Sequence, residues 1–213
     1  MVRDAAGVLF GTAVDGGNAA ACSSGCGVAF KLAPPAAGQT SWKYTPLYNF
    51  QGGTDGIDPT GGLLRDATGA LYGATALGGN GTLCGGTQGC GTIFRLTPPA
   101  KGQTAWTEAV LYAFTGGTDG GTPNGDLVRS KSGALFGTTV SGGSCNNAGG
   151  HCGVVFELSP PAAGQSSWTE AVMHDFQSTD GANPSAGVIL GPRGVLYGTT
   201  LATELAAAAP CSN

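Results

Sequence analysis

The chain repeats one pattern throughout its length, and that recurrence constrains the fold more than any other feature. Leu71-Tyr72-Gly73-Ala74-Thr75 returns as Leu135-Phe136-Gly137-Thr138-Thr139 and as Leu196-Tyr197-Gly198-Thr199-Thr200, with an earlier copy at Leu9-Phe10-Gly11-Thr12. The aromatic positions Phe10, Tyr72, Phe136 and Tyr197 lie 62, 64 and 61 residues apart. A fixed period of this size specifies an array in which each unit buries its apolar face on its neighbours. The 213 residues then form one array, with approximate units 1–57, 58–121, 122–182 and 183–213, the last of them truncated.

The unit running from Pro59 to Gly120 shows how each module is built. Gly61-Gly62-Leu63-Leu64-Arg65-Asp66 forms a first strand, closed by the turn Ala67-Thr68-Gly69, and Ala70-Leu71-Tyr72-Gly73-Ala74-Thr75 forms a second. A glycine-rich loop holding Cys84 and Cys90 leads to a third strand, Gly91 to Leu96, which Pro98-Pro99 stops because proline cannot donate to a ladder. Trp106 to Phe114 forms the fourth and longest strand, with Trp106, Val110, Tyr112 and Phe114 expected on one face by the period of two. Four short strands per unit and no convincing helix are the signature of a propeller blade. A β-solenoid, the competing array, repeats at about 20–30 residues with simpler internal turns. The expected fold is therefore all-β: a propeller-type array of four-stranded blades, about three and a half of them present.

Two resemblances support this reading. The stretch from Pro59 to Leu96 resembles an NHL-type propeller repeat, in which a short apolar strand ends in Asp, turns through Gly and resumes as Leu-Tyr. The whole pattern resembles the GloVer tandem repeat of choice-of-anchor proteins. The matching residues begin with Asp66, Gly69, Leu71, Tyr72 and Gly73, and continue through Cys90, Gly91, Ile93, Phe94, Leu96, Pro98 and Pro99. They end with Trp106, Thr107, Glu108, Leu111, Tyr112 and Phe114, closing on Gly116-Gly117-Thr118-Asp119-Gly120. The resemblance implies an exported bacterial protein held at the cell surface by a sorting signal, and it brings no enzymatic activity with it.

Charged residues make up only 10% of the chain, with a formal charge of −4, and the lysines and arginines are scattered singly. That distribution excludes the basic footprint of a nucleic-acid binder. No run approaches the roughly 18 apolar residues of a transmembrane segment. The 40 glycines recur in register beside apolar segments, so they read as turns between strands and not as a disordered tract.

Val2-Arg3-Asp4 aligns with Leu64-Arg65-Asp66, so Met1 falls inside the first strand of a blade. Gly187-Val188-Ile189-Leu190 and Val195-Leu196-Tyr197-Gly198 supply two strands of a fourth blade, after which Ala202-Thr203-Glu204-Leu205 and an alanine run replace the glycine loop. The expectation is a piece of a longer array, its missing blades supplied by a parent chain. Self-association through the open blade faces is the alternative.

Six of the seven cysteines fall in local pairs at the same place in each unit: Cys22 with Cys26, Cys84 with Cys90, and Cys145 with Cys152. A structural zinc site needs four ligands, and each unit offers one pair, with His151 available only beside Cys152. The expected role is a disulfide pinning each glycine loop, which implies an oxidising compartment. The closed loops are small, so each bridge contributes at most about 2–3 kcal/mol. Cys211 is left unpaired.

Asp55, Asp119 and Asp180 recur in Thr-Asp-Gly loops. Calcium needs six to eight oxygens and a denser alternation of ligands, so the turn role of Asp-Gly is expected first and calcium stands only as the alternative. Trp42, Trp106 and Trp168 occur once per unit and are expected to pack rather than to stack on sugars. Glu108 and Glu170 recur beside two of them, with Tyr44 in the first unit, and are not expected to converge as a glycosidase pair. His151 and His174 do not recur, and no nucleophile elbow, zinc helix, P-loop or dinucleotide fingerprint is present. The expected function is a non-catalytic binding or structural module of an extracellular or cell-surface protein, with no cofactor and a carbohydrate or protein ligand. The alternative is a fragment of a secreted propeller enzyme acting on polysaccharide.

Overall fold

A computed structural model of the chain describes residues 1–17, 20–84, 88–144, 152–177 and 179–201. Three four-stranded antiparallel sheets follow one another along the sequence, each a meander in which consecutive strands are neighbours. The first holds β1 (Val2–Arg3), β2 (Leu9–Ala13), β3 (Val28–Ala33) and β4 (Lys43–Asn49). The second holds β5 (Ile57–Arg65), β6 (Leu71–Leu77), β7 (Thr92–Thr97) and β8 (Thr107–Ala113). The third holds β9 (Gly121–Arg129), β10 (Leu135–Ser141), β11 (Val154–Ser159) and β12 (Thr169–Asp175). A two-stranded sheet, β13 (Ile189–Leu190) with β14 (Leu196–Tyr197), follows, and among the described residues the one helical element is the 3-10 turn Pro192–Gly194. This is an all-β, propeller-like array of blades without a closed barrel.

The cores lie between sheets and not within them, which is what stacked blades require. Phe10, Ala29 and Phe50 of the first blade meet Leu63, Leu71, Phe94 and Leu96 of the second. Tyr72, Ala74, Ile93 and Phe114 of the second meet Leu127, Leu135, Phe156 and Leu158 of the third. The two interfaces repeat down to a single ring contact: Phe50 packs edge-on against Phe94 at 5.0 Å, and Phe114 against Phe156 at 5.2 Å. All four rings are fully buried. Each is worth about 1.5–3 kcal/mol in area removed from water, so the aromatic ladder is a main source of inter-blade cohesion.

Two sequence expectations need correction. The fourth strand does not carry Trp106, Val110, Tyr112 and Phe114 on one face. Phe94 pairs with Val110 while its neighbour Ile93 pairs with Tyr112, so Leu111 is an extra residue in a β-bulge. The bulge reverses the phase, sending Trp106 to the core shared with the first blade and Tyr112 and Phe114 to the core shared with the third. The same irregularity falls at Pro46 and Tyr48 in β4 and at Val172 and His174 in β12. Nor is the fourth strand the longest. β5 and β9 each span nine residues against seven for β8, because the first strand starts well before the apolar stretch that marks it in the sequence. These first strands lie side by side in neighbouring blades. Thr60 Oγ1 donates to the Pro123 carbonyl at 3.1 Å, so the contact is polar and leaves no hydrophobic period to read.

Each blade is entered through the same joint. Asp58, Thr122 and Asn183 have φ of 55°, 52° and 52°, each immediately before a proline. Their amides donate to the carbonyls of Cys26, Cys90 and Cys152 at 3.1, 2.7 and 2.9 Å, tying each blade to the loop of the one before. Asp and Asn tolerate left-handed backbone, whereas β-branched Thr122 is strained there. Thr122→Asn is therefore expected to raise stability by about 1 kcal/mol. In a chain of this size that is about 2–4 °C in melting temperature, measurable by circular dichroism. A lowered melting temperature would show that the lost hydrogen bond from Ser141 Oγ to Thr122 Oγ1, 3.1 Å long, outweighs the relief.

Candidate functional site

The three recurring aspartates close the loops that follow the fourth strands. Asp55 accepts from the Tyr48 hydroxyl at 2.7 Å and from the Gln51 amide. Asp119 accepts from the Tyr112 hydroxyl at 3.0 Å and from the Thr115 amide at 2.8 Å. Asp180 accepts from the Gln177 amide at 2.9 Å, and His174 Nε2 lies 2.9 Å from its other oxygen. His174 thus stands where Tyr48 and Tyr112 stand, two residues before the phenylalanine that packs on it edge-on. These are turn-closing carboxylates with a strand side chain laid across them. Among the described residues no three His, Cys, Asp or Glu side chains gather as a metal-binding group.

Onto the first two of these pairs the next blade directs a glutamate. Glu108, on the face of β8 turned to the first blade, meets Asp55 and Tyr48. Glu170 of β12 comes within range of the Asp119 charge and of Tyr112. Burial, followed by the Asp55 charge, pushes the Glu108 carboxyl up to about 7. Burial, followed by Asp119, does the same for Glu170. Oε1 of each is buried without a donor. The physical resolution is a proton: burial and the facing aspartate charge both favour a neutral Glu over an ionised one. Tyr48 and Tyr112 are raised by burial first and then by their aspartates, so both stay neutral donors. The sequence marks Glu108 and Glu170 as recurrent, but gives no sign that each belongs with an Asp of the preceding unit.

The cysteine positions behave as covalent pins. Cys22 is bonded to Cys26 and Cys84 to Cys90, with Cα separations of 5.2 and 5.5 Å. Cys152 is disulfide-bonded too. Cys145, His151 and Cys211 lie outside the described residues. Cys26 and Cys90 are fully buried against the inter-blade cores, so each bridge anchors its loop to the neighbouring blade.

Two of the clefts among the described residues open between later blades. One, of about 460 Å³, lies between the third blade and the β13–β14 pair, and includes His174, Asp180, Phe176 and Val188. The other, of about 620 Å³, lies between the second and third blades, where Tyr72, Arg95, Arg129, Gln165 and Trp168 converge. Trp106 and Trp168 pack partly into the inter-blade cores, as expected, while Trp42 is 48% exposed. Arg129 lies over the Tyr72 ring at 5.7 Å and 4.0 Å from Asp66, and Arg65 lies over Phe10 at 5.7 Å. Among the described residues no helix is long and apolar enough to cross a membrane.

No curated protein and no solved structure matches the chain. A family model does, over residues 1–206, which takes in all three complete blades and the β13–β14 pair. The chain belongs to the Gloeobacter/Verrucomicrobia repeat family.

Proposed function

We propose that this repeat array is a non-catalytic binding and structural module of an exported or cell-surface protein. The observation that carries the reading is where the recurring polar residues go. Asp55 and Asp119 are taken up by Tyr48 and Tyr112 of their own blades, and their charges bear on Glu108 and Glu170 of the next blades. They are distributed along the array, one set per interface, and not gathered in one cavity. The bridges Cys22–Cys26 and Cys84–Cys90 support export, since such bonds persist in oxidising compartments.

The test has two parts. Protein recovered from its native cells under an alkylating quench is expected to show these four cysteines unalkylated and disulfide-linked, by mass spectrometry. Free thiols there would remove the argument for export. The chain is also expected to be retained on an immobilised extracellular polysaccharide or protein with no release of new reducing ends or peptide termini. Steady product release that survives repurification would replace the binding role with the polysaccharide-acting one.

A further inference from the structure

The cleft between the second and third blades carries a chemistry that the packing of the array does not need. Arg95 of β7 and Arg129 of β9 come from different blades and reach the same place, both acting on the Tyr72 hydroxyl. Arg129 is shared with Asp66 at 4.0 Å. Among the described residues Arg95 has no carboxylate within ion-pair distance, and its Nε is buried with no acceptor. One guanidinium therefore stands outside any ion pair, with its Nε unanswered, in a chain of net charge −4, a local excess of positive charge against the overall sign. Beside the arginines the cleft wall offers the Trp168 ring, the Gln165 amide and the Ser166 and Ser167 hydroxyls.

We infer that this cleft binds an acidic saccharide, with a sugar carboxylate held between Arg95 and Arg129 and the ring against Trp168. The inference rests on the binding-module reading above and names its ligand. A guanidinium presents a planar fork that matches a carboxylate with two parallel hydrogen bonds. An aromatic face and adjacent amide and hydroxyl groups suit the C–H faces and hydroxyls of a pyranose. A volume of about 620 Å³ is in the usual range of small-ligand sites. Nucleic acid is a poor match, because no basic run continues beyond the pair.

The array holds an internal comparison. At the preceding blade boundary Lys31 pairs across the strands with Phe10 as Arg95 does with Tyr72, and Arg65 lies over Phe10 as Arg129 lies over Tyr72. Trp106 packs there as Trp168 does, so the cation pair and its tryptophan recur. At the next boundary the pattern ends: Glu157 pairs with Phe136, and β13 offers Ile189 and Leu190 where the arginine would stand. The first two blade boundaries carry the cation pair and the third does not.

The experiment is titration calorimetry of the full chain at low ionic strength with tetragalacturonate, with a neutral maltotetraose and with a sulfated oligosaccharide of equal length. The variants are Arg95→Gln, Trp168→Ala and the double Lys31→Gln/Arg95→Gln, each checked for an unchanged melting temperature. Arg95 is in no ion pair among the described residues, so Arg95→Gln is the informative variant if Trp168→Ala unfolds. The expected result is binding of the galacturonate only, weakened about tenfold or more in the double variant and by added salt. Equal binding of the neutral oligomer, unaffected by the double variant, overturns the acidic-saccharide site and leaves the binding module standing. Stronger binding of the sulfated oligomer overturns the carboxylate assignment, and no binding of any of the three overturns the site. Cleavage of the galacturonate would count against the non-catalytic reading while leaving the site in place.

Discussion

Replacing Gly91 by alanine is expected to lower the stability of the array by about 3–4 kcal/mol. Gly91 follows Cys90 at the head of the third strand, with φ of +95°. A Cβ there would stand 2.4 Å from Pro123 Cδ and 2.5 Å from the Thr75 carbonyl oxygen. Neither neighbour is a flexible side chain. Pro123 belongs to the first strand of the next blade and Thr75 to the adjacent strand of the same one, so relief requires one blade to shift against another. The same collision awaits at Gly27, 2.2 Å from Pro59 Cδ, and at Gly153, 2.8 Å from Pro184 Cδ. The Cys-Gly pair is thus the point where one blade's loop is pressed onto the next blade's entry proline. Gly102 provides the control, with φ of +87° and nothing within 4 Å of an added Cβ. Gly102→Ala carries only the left-handed backbone cost of about 1–2 kcal/mol. Denaturant unfolding of both variants separates the terms, and equal losses would mean that the inter-blade contact contributes nothing.

That contact also marks the limit of what the sequence makes legible. Strand number, strand order and turn positions follow from local signals: Pro98-Pro99 ends β7 at Thr97, and the turn through Asp66 and Gly69 joins β5 to β6. Asp66 Oδ1 accepts from the Thr68 and Ala70 amides at 2.9 and 3.0 Å, a closure that its own four-residue neighbourhood dictates. Contacts across blades leave no such trace. The stacking of Phe114 on Phe156 joins residues more than forty positions apart, and the bulge at Leu111 changes which face Tyr112 presents without changing the residue pattern. A period of two read straight through β8 fails there because a bulge is a geometric insertion, visible only once its partner strand is known. The arginine–tryptophan cleft was hidden for the same reason. Arg95, Arg129 and Trp168 look like isolated residues until two blades are brought together.

Stability is expected to be greatest on the acid side of neutrality, near pH 4–5, and to fall as pH rises from about 5 to 8. Glu108 and Glu170 have carboxyls raised from an ordinary 4.5 to about 7 in the folded state, by burial first and then by Asp55 and Asp119. A raised folded value means the folded chain holds these protons more tightly than the unfolded chain does. Their stabilising contribution is complete below the ordinary carboxyl range and is lost as pH climbs through about 7. Asp58, raised by burial and then by Asp15, adds to the same trend. The opposite limb comes from Asp66. Burial works against its ionisation, but hydrogen bonds from Thr68, Tyr72 and Ala70 together hold it below the ordinary value, so protonation below about pH 4 removes stability. Both glutamates are partly open to solvent, so the full linkage value must be discounted to about 1–2 kcal/mol for each. Glu108→Gln/Glu170→Gln keeps the volume and removes the titrating group beside each aspartate. The melting temperature of this double variant should be flat between pH 5 and 8 and exceed that of the parent chain at pH 8. A variant curve parallel to the parent's over that window would place the pH dependence elsewhere. It would also mean that the facing carboxyls, repeated at the first two blade boundaries, do not sense each other.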